Sequence, residues 1–355
     1  MNESIRKILE AGIHAPSGSN SQPWKFRIAG DQAEILALPE RDHPILNFKN
    51  RGTWVAHGAL IENIIIASSE FGYEAHLELT PLTPQTKITA KITFEKKPAI
   101  KDELFEAIKR RATNRKPYKN IPLSEKQKEN LLTQGNKFES VEFRLIEERE
   151  RINAIIEASS QDIRIMLEDK NLHGLLFKEI VWTEQEEREK KSGLYLKTME
   201  LEKPQQKAFK LLSHWAVANV LNKLGVSKAI ARTNAKNYSL CGAVGVLIIK
   251  DQDNNFLTAG RSLERVWLEA EKMGLSCHLL TGVLFFWQRV KNETSGFSGK
   301  HIQIINQSYE KIKTNIGINQ DDGQIVALLF RIGYGGQPSG FSSRFSPESL
   351  AEVVK

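Results

Sequence analysis

Apolar and polar positions along this chain follow two rhythms, one helical and one extended. Ile5, Ile8, Leu9 and Ile13 recur at helical spacing, so the chain opens with an amphipathic helix over about Glu3–His14. The run Ala15-Pro16-Ser17-Gly18-Ser19-Asn20-Ser21-Gln22-Pro23-Trp24 stops it, because proline and glycine do not continue a helix. Phe26–Ile28 and Ala33–Leu38 read as a short hairpin turning at Gly30-Asp31. Thr53–Phe71 is a long helix, apolar nearly all round, as a helix inside a large core must be. Ala75–Leu79 and Lys87–Phe94 alternate as strands, and Lys101–Arg111 is an amphipathic helix ending in a basic turn.

Ser124, with Gln127 three positions on, predicts a capping box opening a helix over Glu125–Leu132. Val141–Ile146 is a strand and Glu148–Leu167 a helix. The pattern then changes. Residues 168–210 are charge-rich, with scattered large apolar residues such as Leu176, Phe177, Trp182 and Tyr195. This stretch reads as a peripheral insertion or lid. Helix resumes over Leu211–Leu224. Gly242–Ile249 and Ile325–Ile332 are buried strands, Asn255–Met273 is a second long helix, and Leu279–Val290 is a strand end followed by helix. A Gly/Ser-rich loop over Gly333–Ser343 leads to a last helix starting at Ser346 or Pro347.

The two long helices repeat each other. Gly58, Glu62, Gly72 and His76 return as Gly260, Glu264, Gly274 and His278, at a constant offset of 202 residues. Each helix ends in a glycine, suited to the left-handed position after a helix, and a short strand follows. The physical reading is two copies of one α+β unit packed as a pseudo-dimer.

Composition narrows the chemistry. The 355 residues are 40% hydrophobic and 26% charged, ordinary globular material long enough for about two domains. Cys241 and Cys277 form no close-spaced pair, so no disulfide framework is expected, and the compartment is expected to be the reducing cytoplasm. The longest apolar runs, Cys241–Ile249 and Leu279–Trp287, fall short of the roughly 18 residues a membrane span needs. The N-terminus lacks the apolar stretch of a signal peptide. The formal charge of +7 favours anionic partners in general terms. The densest basic stretch, Lys109–Lys119, lacks interleaved aromatics and any recognition motif, so no nucleic-acid partner is expected. The histidines show no metal spacing. His76 and His278 read as structural, and Cys277 as a buried strand residue. No hydrolase or redox-thiol motif is present, and Gly333-Tyr334-Gly335 runs into Pro338 where a dinucleotide fingerprint needs its last glycine.

Three segments resemble the nitroreductase family of FMN-dependent oxidoreductases. Residues 15–26 resemble its N-terminal flavin loop. Arg110-Arg111-Ala112-Thr113-Asn114-Arg115 resembles its Arg-Arg-Ser opening, and Gly333-Tyr334 through Arg344 its closing segment. The order departs from the simple family, because the loop at Pro16 precedes the Arg-Arg turn by almost a hundred residues. That arrangement resembles the double-length, single-chain Acg-like branch, in which two halves build one flavin site. The resemblance implies an α+β nitroreductase-like fold with halves over 1–100 and 101–355, the second carrying a helical insertion over 168–211. It covers most of the chain outside that insertion.

The same resemblance implies a cofactor site. A phosphate needs a fixed cation, and a guanidinium fork holds two phosphate oxygens at once. Arg111 and Arg344 are the candidates, with Arg110 and Arg115 behind them and Thr113 as a hydroxyl donor. The isoalloxazine edge needs amide-type partners, which Ser19, Asn20 and Gln22 offer, while Ser17 and Gly18 allow close backbone approach. Leu280, Thr281 and Gly282 lie where the family presents backbone donors, and Arg51 is a candidate for the pyrimidine end. Hydride would pass from NAD(P)H, bound transiently, through FMN to a small-molecule acceptor such as a nitroaromatic or quinone, in ping-pong order. No catalytic side chain is required and no metal is expected. The alternative is an FMN-sequestering protein whose lid, with Trp182 or Tyr195 over the flavin, blocks turnover. Either a monomeric pseudo-dimer or a homodimer fits the pattern.

Overall fold

The computed structural model describes residues 1–42, 45–292, 296–318 and 323–354. The fold is α+β. Its first sheet is built around β1 (Trp24–Ala29), β2 (Gln32–Ala37), β3 (Tyr73–Leu79) and β4 (Ile88–Lys96). Helix α1 (Glu3–Gly12) precedes these strands, α2 (Arg51–Glu70) falls between β2 and β3, and the single turn α3 (Phe105–Ile108) follows β4. Helix α4 (Glu125–Gly135) carries the expected capping box, Ser124 accepting from Gln127 N–H while the Gln127 side chain accepts from Ser124 N–H. Strand β5 (Val141–Ile146) then leads into α5 (Arg149–Ser159) and α6 (Gln161–Glu168).

The charge-rich stretch folds as α7 (Lys170–Glu179), β6 (Ile180–Val181), α8 (Glu184–Lys190), β7 (Leu194–Tyr195) and α9 (Lys203–Leu212). Helices α10 (Trp215–Lys223) and α11 (Val226–Tyr238) follow. The chain then forms β8 (Ala243–Lys250), α12 (Asp253–Lys272), β9 (Ser276–Leu279), α13 (Gly282–Asn292), α14 (Gly299–Ile316) and β10 (Gln324–Gly333). A short α15 (Pro347–Leu350) and β11 (Ala351–Val353) end the described chain.

The first sheet runs β11-β1-β2-β4-β3 and the second β5-β8-β10-β9. Strand β11 returns to the first sheet and pairs parallel to β1, Phe26 opposite Ala351. The tail thus crosses the molecule and carries the 340s past the loop at 16–22. No described helix is long and apolar enough to cross a membrane.

The two long helices that share the sequence repeat pack side by side. Arg51 meets Asp253 at one end and Glu62 meets Arg261 and Arg265 further along, so α2 and α12 run in the same direction. A Cβ added at Gly58 would lie 1.9 Å from Leu257 O, and one added at Gly260 2.0 Å from Val55 O. Only glycine permits this approach. Trp54 and Trp267 are fully buried beside the seam.

Five features depart from the sequence expectation. The helix expected over Lys101–Arg111 is a single turn, because Arg111 is drawn inward to His14 O and towards Glu264. The helix expected over Glu148–Leu167 breaks at Ser160, where Ser159 Oγ bonds back to Ile155 O. Helix α14 was not anticipated, although Ser298 caps it and Ile305, Tyr309, Ile312 and Ile316 line one face. Nor were α11 and β11. The last has three residues and gains its order from the β1 edge rather than from its own pattern.

Candidate functional site

The loop between α1 and β1 is held in an unusual conformation. Ser19, Asn20 and Gln22 have φ of 45°, 55° and 50°, the left-handed region that side chains avoid. Such a backbone persists only when its surroundings over-determine it. Ser17 Oγ accepts from Gln22 N–H, and Ser19 Oγ donates to Glu179 Oε2 at 2.5 Å. Asn20 Nδ2 donates to Lys191 O and Ser343 O. Gln22 Nε2 donates to Lys191 O at 2.7 Å, and its Oε1 accepts from Phe345 N–H at 2.9 Å. The insertion and the C-terminal tail therefore clamp this loop from two sides.

Cations converge beside it. Arg344 donates to Ile13 O, His14 O and Ala15 O, and to Asn20 Oδ1 at 2.7 Å. Its guanidinium is caged by carbonyl groups, with no carboxylate within ion-pair distance among the described residues. Burial and the neighbouring Arg111 pull its pKa down to about 9. Arg111 donates to His14 O at 2.6 Å, lies over the Trp267 ring and stands 3.4 Å from Glu264. Burial pushes the Glu264 carboxyl up to about 7, against the pull of Arg111. His14 is driven down to about 4 by burial and then by Arg344 and Arg111. Arg115 donates to Thr198 O at 3.0 Å and, among the described residues, also has no ion-paired carboxylate.

These residues enclose a cleft of two joined compartments. The first, about 190 Å³, is lined by Ser17, Ser19, Asn20, Arg111, Thr113, Arg115 and Arg344. Gly193, Leu194 and Thr198 of the insertion close one side of it. The second, about 280 Å³, lies between α2, α12 and the start of α13. Its walls are mostly apolar, from Leu46, Val55, Leu263, Phe285 and Leu328. Gly18, Thr281 and Gly282 line it too, and Pro16, Ser17, Ser19, Thr113 and Arg115 border both spaces. One end is thus cationic and hydrogen-bonding, and the other is suited to a flat apolar group.

Four candidates lie elsewhere. Gln22 is fully buried behind the loop, where it splints Lys191 to Phe345. Leu280 packs into the core behind the second sheet, its N–H on Leu329 O. Arg110 is exposed and 3.7 Å from Glu271. Arg51 turns to Asp251 and Asp253, at 2.7 and 3.0 Å, with Phe256 beneath its guanidinium. Trp182 and Tyr195 stay out of the cleft as well. Trp182 stacks on Phe177 and packs against Phe209 inside the insertion.

Three titratable residues of the second compartment were not anticipated as site residues. Asp42 is buried and pushed up to about 6, its carboxylate engaged by the Ser21 and Thr53 hydroxyls. Asp162, on α6, is also raised to about 6 by desolvation. His278 lines the space instead of serving only as a core residue. Behind it Arg331 is fully buried between the Tyr118 and Tyr238 rings and donates from Nε to His278 Nδ1 at 3.2 Å. Arginine can only donate, so Nδ1 is the acceptor and the His278 proton sits on Nε2. Burial and the two arginines keep His278 neutral. A usable signal existed for His278, which immediately precedes the Leu279-Leu280-Thr281-Gly282 turn. Asp162 offered none.

The Nitroreductase family model matches residues 2–47, which span α1, the strained loop and the first hairpin. An uncharacterized Mycobacterium tuberculosis protein is 21% identical over 353 residues, covering 97% of this chain and 48% of its own length. A second protein of that organism, provisionally named an NAD(P)H nitroreductase, is 26% identical over 125 residues, covering 34% of this chain and 36% of its own length. The chain thus spans about half or less of these curated relatives. Among solved structures, the FMN- and NADPH-dependent nitroreductase NfnB of Sphigopyxis sp. strain HMH is 12% identical. It covers 71% of this chain and 99% of its own, with a TM-score of 0.41. A Bacteroides fragilis nitroreductase with bound FMN is 11% identical and covers 72% of this chain and 100% of its own, with a TM-score of 0.38.

Proposed function

We propose that this chain is an FMN-binding oxidoreductase of the nitroreductase family. The observation that carries this reading is the cleft itself. Arg115 and Arg344, without ion-paired carboxylates among the described residues, border a hydrogen-bonding space that opens into an apolar one. Uncompensated guanidinium groups at one end of a cleft call for an anion such as a phosphate. Arg111, Arg115, Thr113 and Ser17 would hold it, while Arg344 adds charge and fastens the loop to the tail. Gly18, Thr281 and Gly282 would let the ring system lie close to backbone in the second compartment. Bound FMN would supply hydride transfer from NAD(P)H to an acceptor such as a nitroaromatic or quinone, the two substrates taking turns.

The chain's halves, about 1–100 and 101–355, act on this reading as a pseudo-dimer with one complete site, because the loop comes from the first and the arginines from the second. One FMN per chain is expected. The alternative is sequestration under the insertion. Against it, no residue of 168–211 lines the second compartment, while Gly193, Leu194 and Thr198 line the first. The insertion acts on this reading as a clamp at the phosphate end, leaving the ring accessible.

An anaerobic visible spectrum with added FMN, then with NADPH or NADH, tests both readings. Prompt bleaching of a bound flavin supports the oxidoreductase. A bound flavin reduced by dithionite but not by either nucleotide supports sequestration, and no bound flavin overturns the proposal.

A further inference from the structure

The second compartment holds an acid that neither the flavin reading nor the fold requires. Asp162 opens α6, and its Oδ1 accepts from Ile163 N–H at 2.6 Å. Among the described residues its Oδ2 forms no hydrogen bond and no cation pairs with the carboxylate. That oxygen lies against the first residue of α13. A Cβ at Gly282 would sit 2.4 Å from it, so glycine is what lets the acid reach the space. Among the described residues, the charged and titratable groups around it are Tyr238 from α11, His278 from β9, Arg115 from the segment after α3, and Asp42 from the loop before α2. Tyr238 is held protonated by burial, and His278 neutral. Among the described residues, Asp162 and Asp42 are therefore the groups of this space raised towards neutrality, and both oxygens of Asp42 are already engaged by hydroxyls.

We propose that Asp162 is the proton donor of the second compartment, delivering a proton to an oxygen of the electron acceptor while His278 Nε2–H holds that oxygen. This rests on the oxidoreductase reading above. A quinone that receives a hydride gains two electrons and one proton, and needs one further proton to leave as hydroquinone. The O–H bond of the Asp162 carboxyl breaks, an O–H bond forms on the quinone, and Asp162 remains as carboxylate. It regains its proton from water before the next turnover. Desolvation raises Asp162 to about 6, which leaves a protonated fraction near neutrality and suits a donor that must be recharged there. His278 is suited to the orienting role because it lines the space and Arg331, bonded to Nδ1, leaves its proton on Nε2.

The test is Asp162→Asn, which keeps size and the bond to Ile163 but carries no transferable proton. FMN titration and bleaching by NAD(P)H are measured first, so that variant and parent are compared at equal flavin loading. Reoxidation by a quinone is expected to slow by about a hundredfold. Reoxidation by ferricyanide, which takes electrons and no proton, is expected to be unchanged. In the flavin-free protein, infrared spectra across pH 4 to 8 are expected to show protonated-carboxyl absorption titrating near 6, to which Asp42 and Asp162 both contribute, and the Asp162 share is expected to be missing from the difference between parent and Asp162→Asn. Equal rates with quinone in variant and parent, equal slowing with both oxidants, or an infrared band unchanged by the substitution would each overturn the assignment. Failure of the parent protein to bind flavin would overturn the oxidoreductase reading and this one together, and so is distinct from the Asp162-specific outcomes.

Discussion

Arg344 Nη1 donates to Asn20 Oδ1 at 2.7 Å, joining two segments 324 positions apart. The same guanidinium reaches three carbonyl oxygens at 13–15, so one side chain ties the C-terminal tail to both sides of the strained loop. Arg344→Ala removes the charge and this tie together. FMN affinity is expected to fall at least about tenfold, a loss of roughly 1.4 kcal/mol or more. Arg344→Lys keeps the charge but not the fork, and an intermediate loss is expected. Fluorescence titration measures both. Flavin retained equally well on dilution would remove Arg344 from the site.

Gly58→Ala and Gly260→Ala test the helix seam. In an exposed helix, glycine to alanine stabilises by about 1 kcal/mol. Here the added carbon meets a backbone carbonyl of the opposite helix, which cannot turn aside as a flexible side chain would. Each substitution is expected to destabilise by about 2–3 kcal/mol. Urea unfolding of the flavin-free protein reads this directly, and a gain in stability would show that the helices separate easily.

The long elements were legible because their pattern was strong. Helix α2 is apolar nearly all round, β5 was bounded as Val141–Ile146, and the glycines that repeat at 58 and 260 lie where the two long helices meet. What escaped was decided by distant chain. Strand β11 exists because β1 offers an edge, and α3 is short because Arg111 is pulled inward. At the site, the loop and the basic turn announced themselves through residue type. Arg51 carried the same kind of signal, but Asp251 and Asp253 claim it, and spacing along a helix does not reveal which partner wins. Asp162 became a cleft residue only through the break at Ser160, which no local pattern predicted.

The grip of the insertion on the tail predicts a kinetic effect. Glu187 Oε1 accepts from Ser343 N–H at 2.6 Å, and Glu187 is buried. Glu187→Ala leaves that N–H without its partner, which costs about 1–3 kcal/mol unless water replaces it. Because Ser343 lies beside Arg344 and Asn20, the expected result is FMN dissociation several-fold faster with an unchanged absorption spectrum. Fluorescence recovery after dilution follows the rate. An unchanged rate would mean that the insertion does not control release.

Asp162 also predicts how stability depends on pH. Desolvation raises its pKa from 3.8 to about 6 in the folded protein. As pH climbs, the unfolded chain gives up this proton first, so between about pH 4 and 6 the folded state binds more protons than the unfolded one. The stability from this group is therefore complete below about pH 4, is lost as pH rises through 6, and stays lost above. Asp162→Asn has no proton to lose. Its stability relative to the parent should be near zero at about pH 4 and should grow to about 1–3 kcal/mol by pH 7, in favour of the variant. Urea midpoints of the two flavin-free proteins across this range measure the difference. A gap that is constant with pH would mean that the carboxyl ionises as freely in the fold as in water. A site residue that makes its protein less stable at neutral pH is then kept for its position in the cleft rather than for the fold.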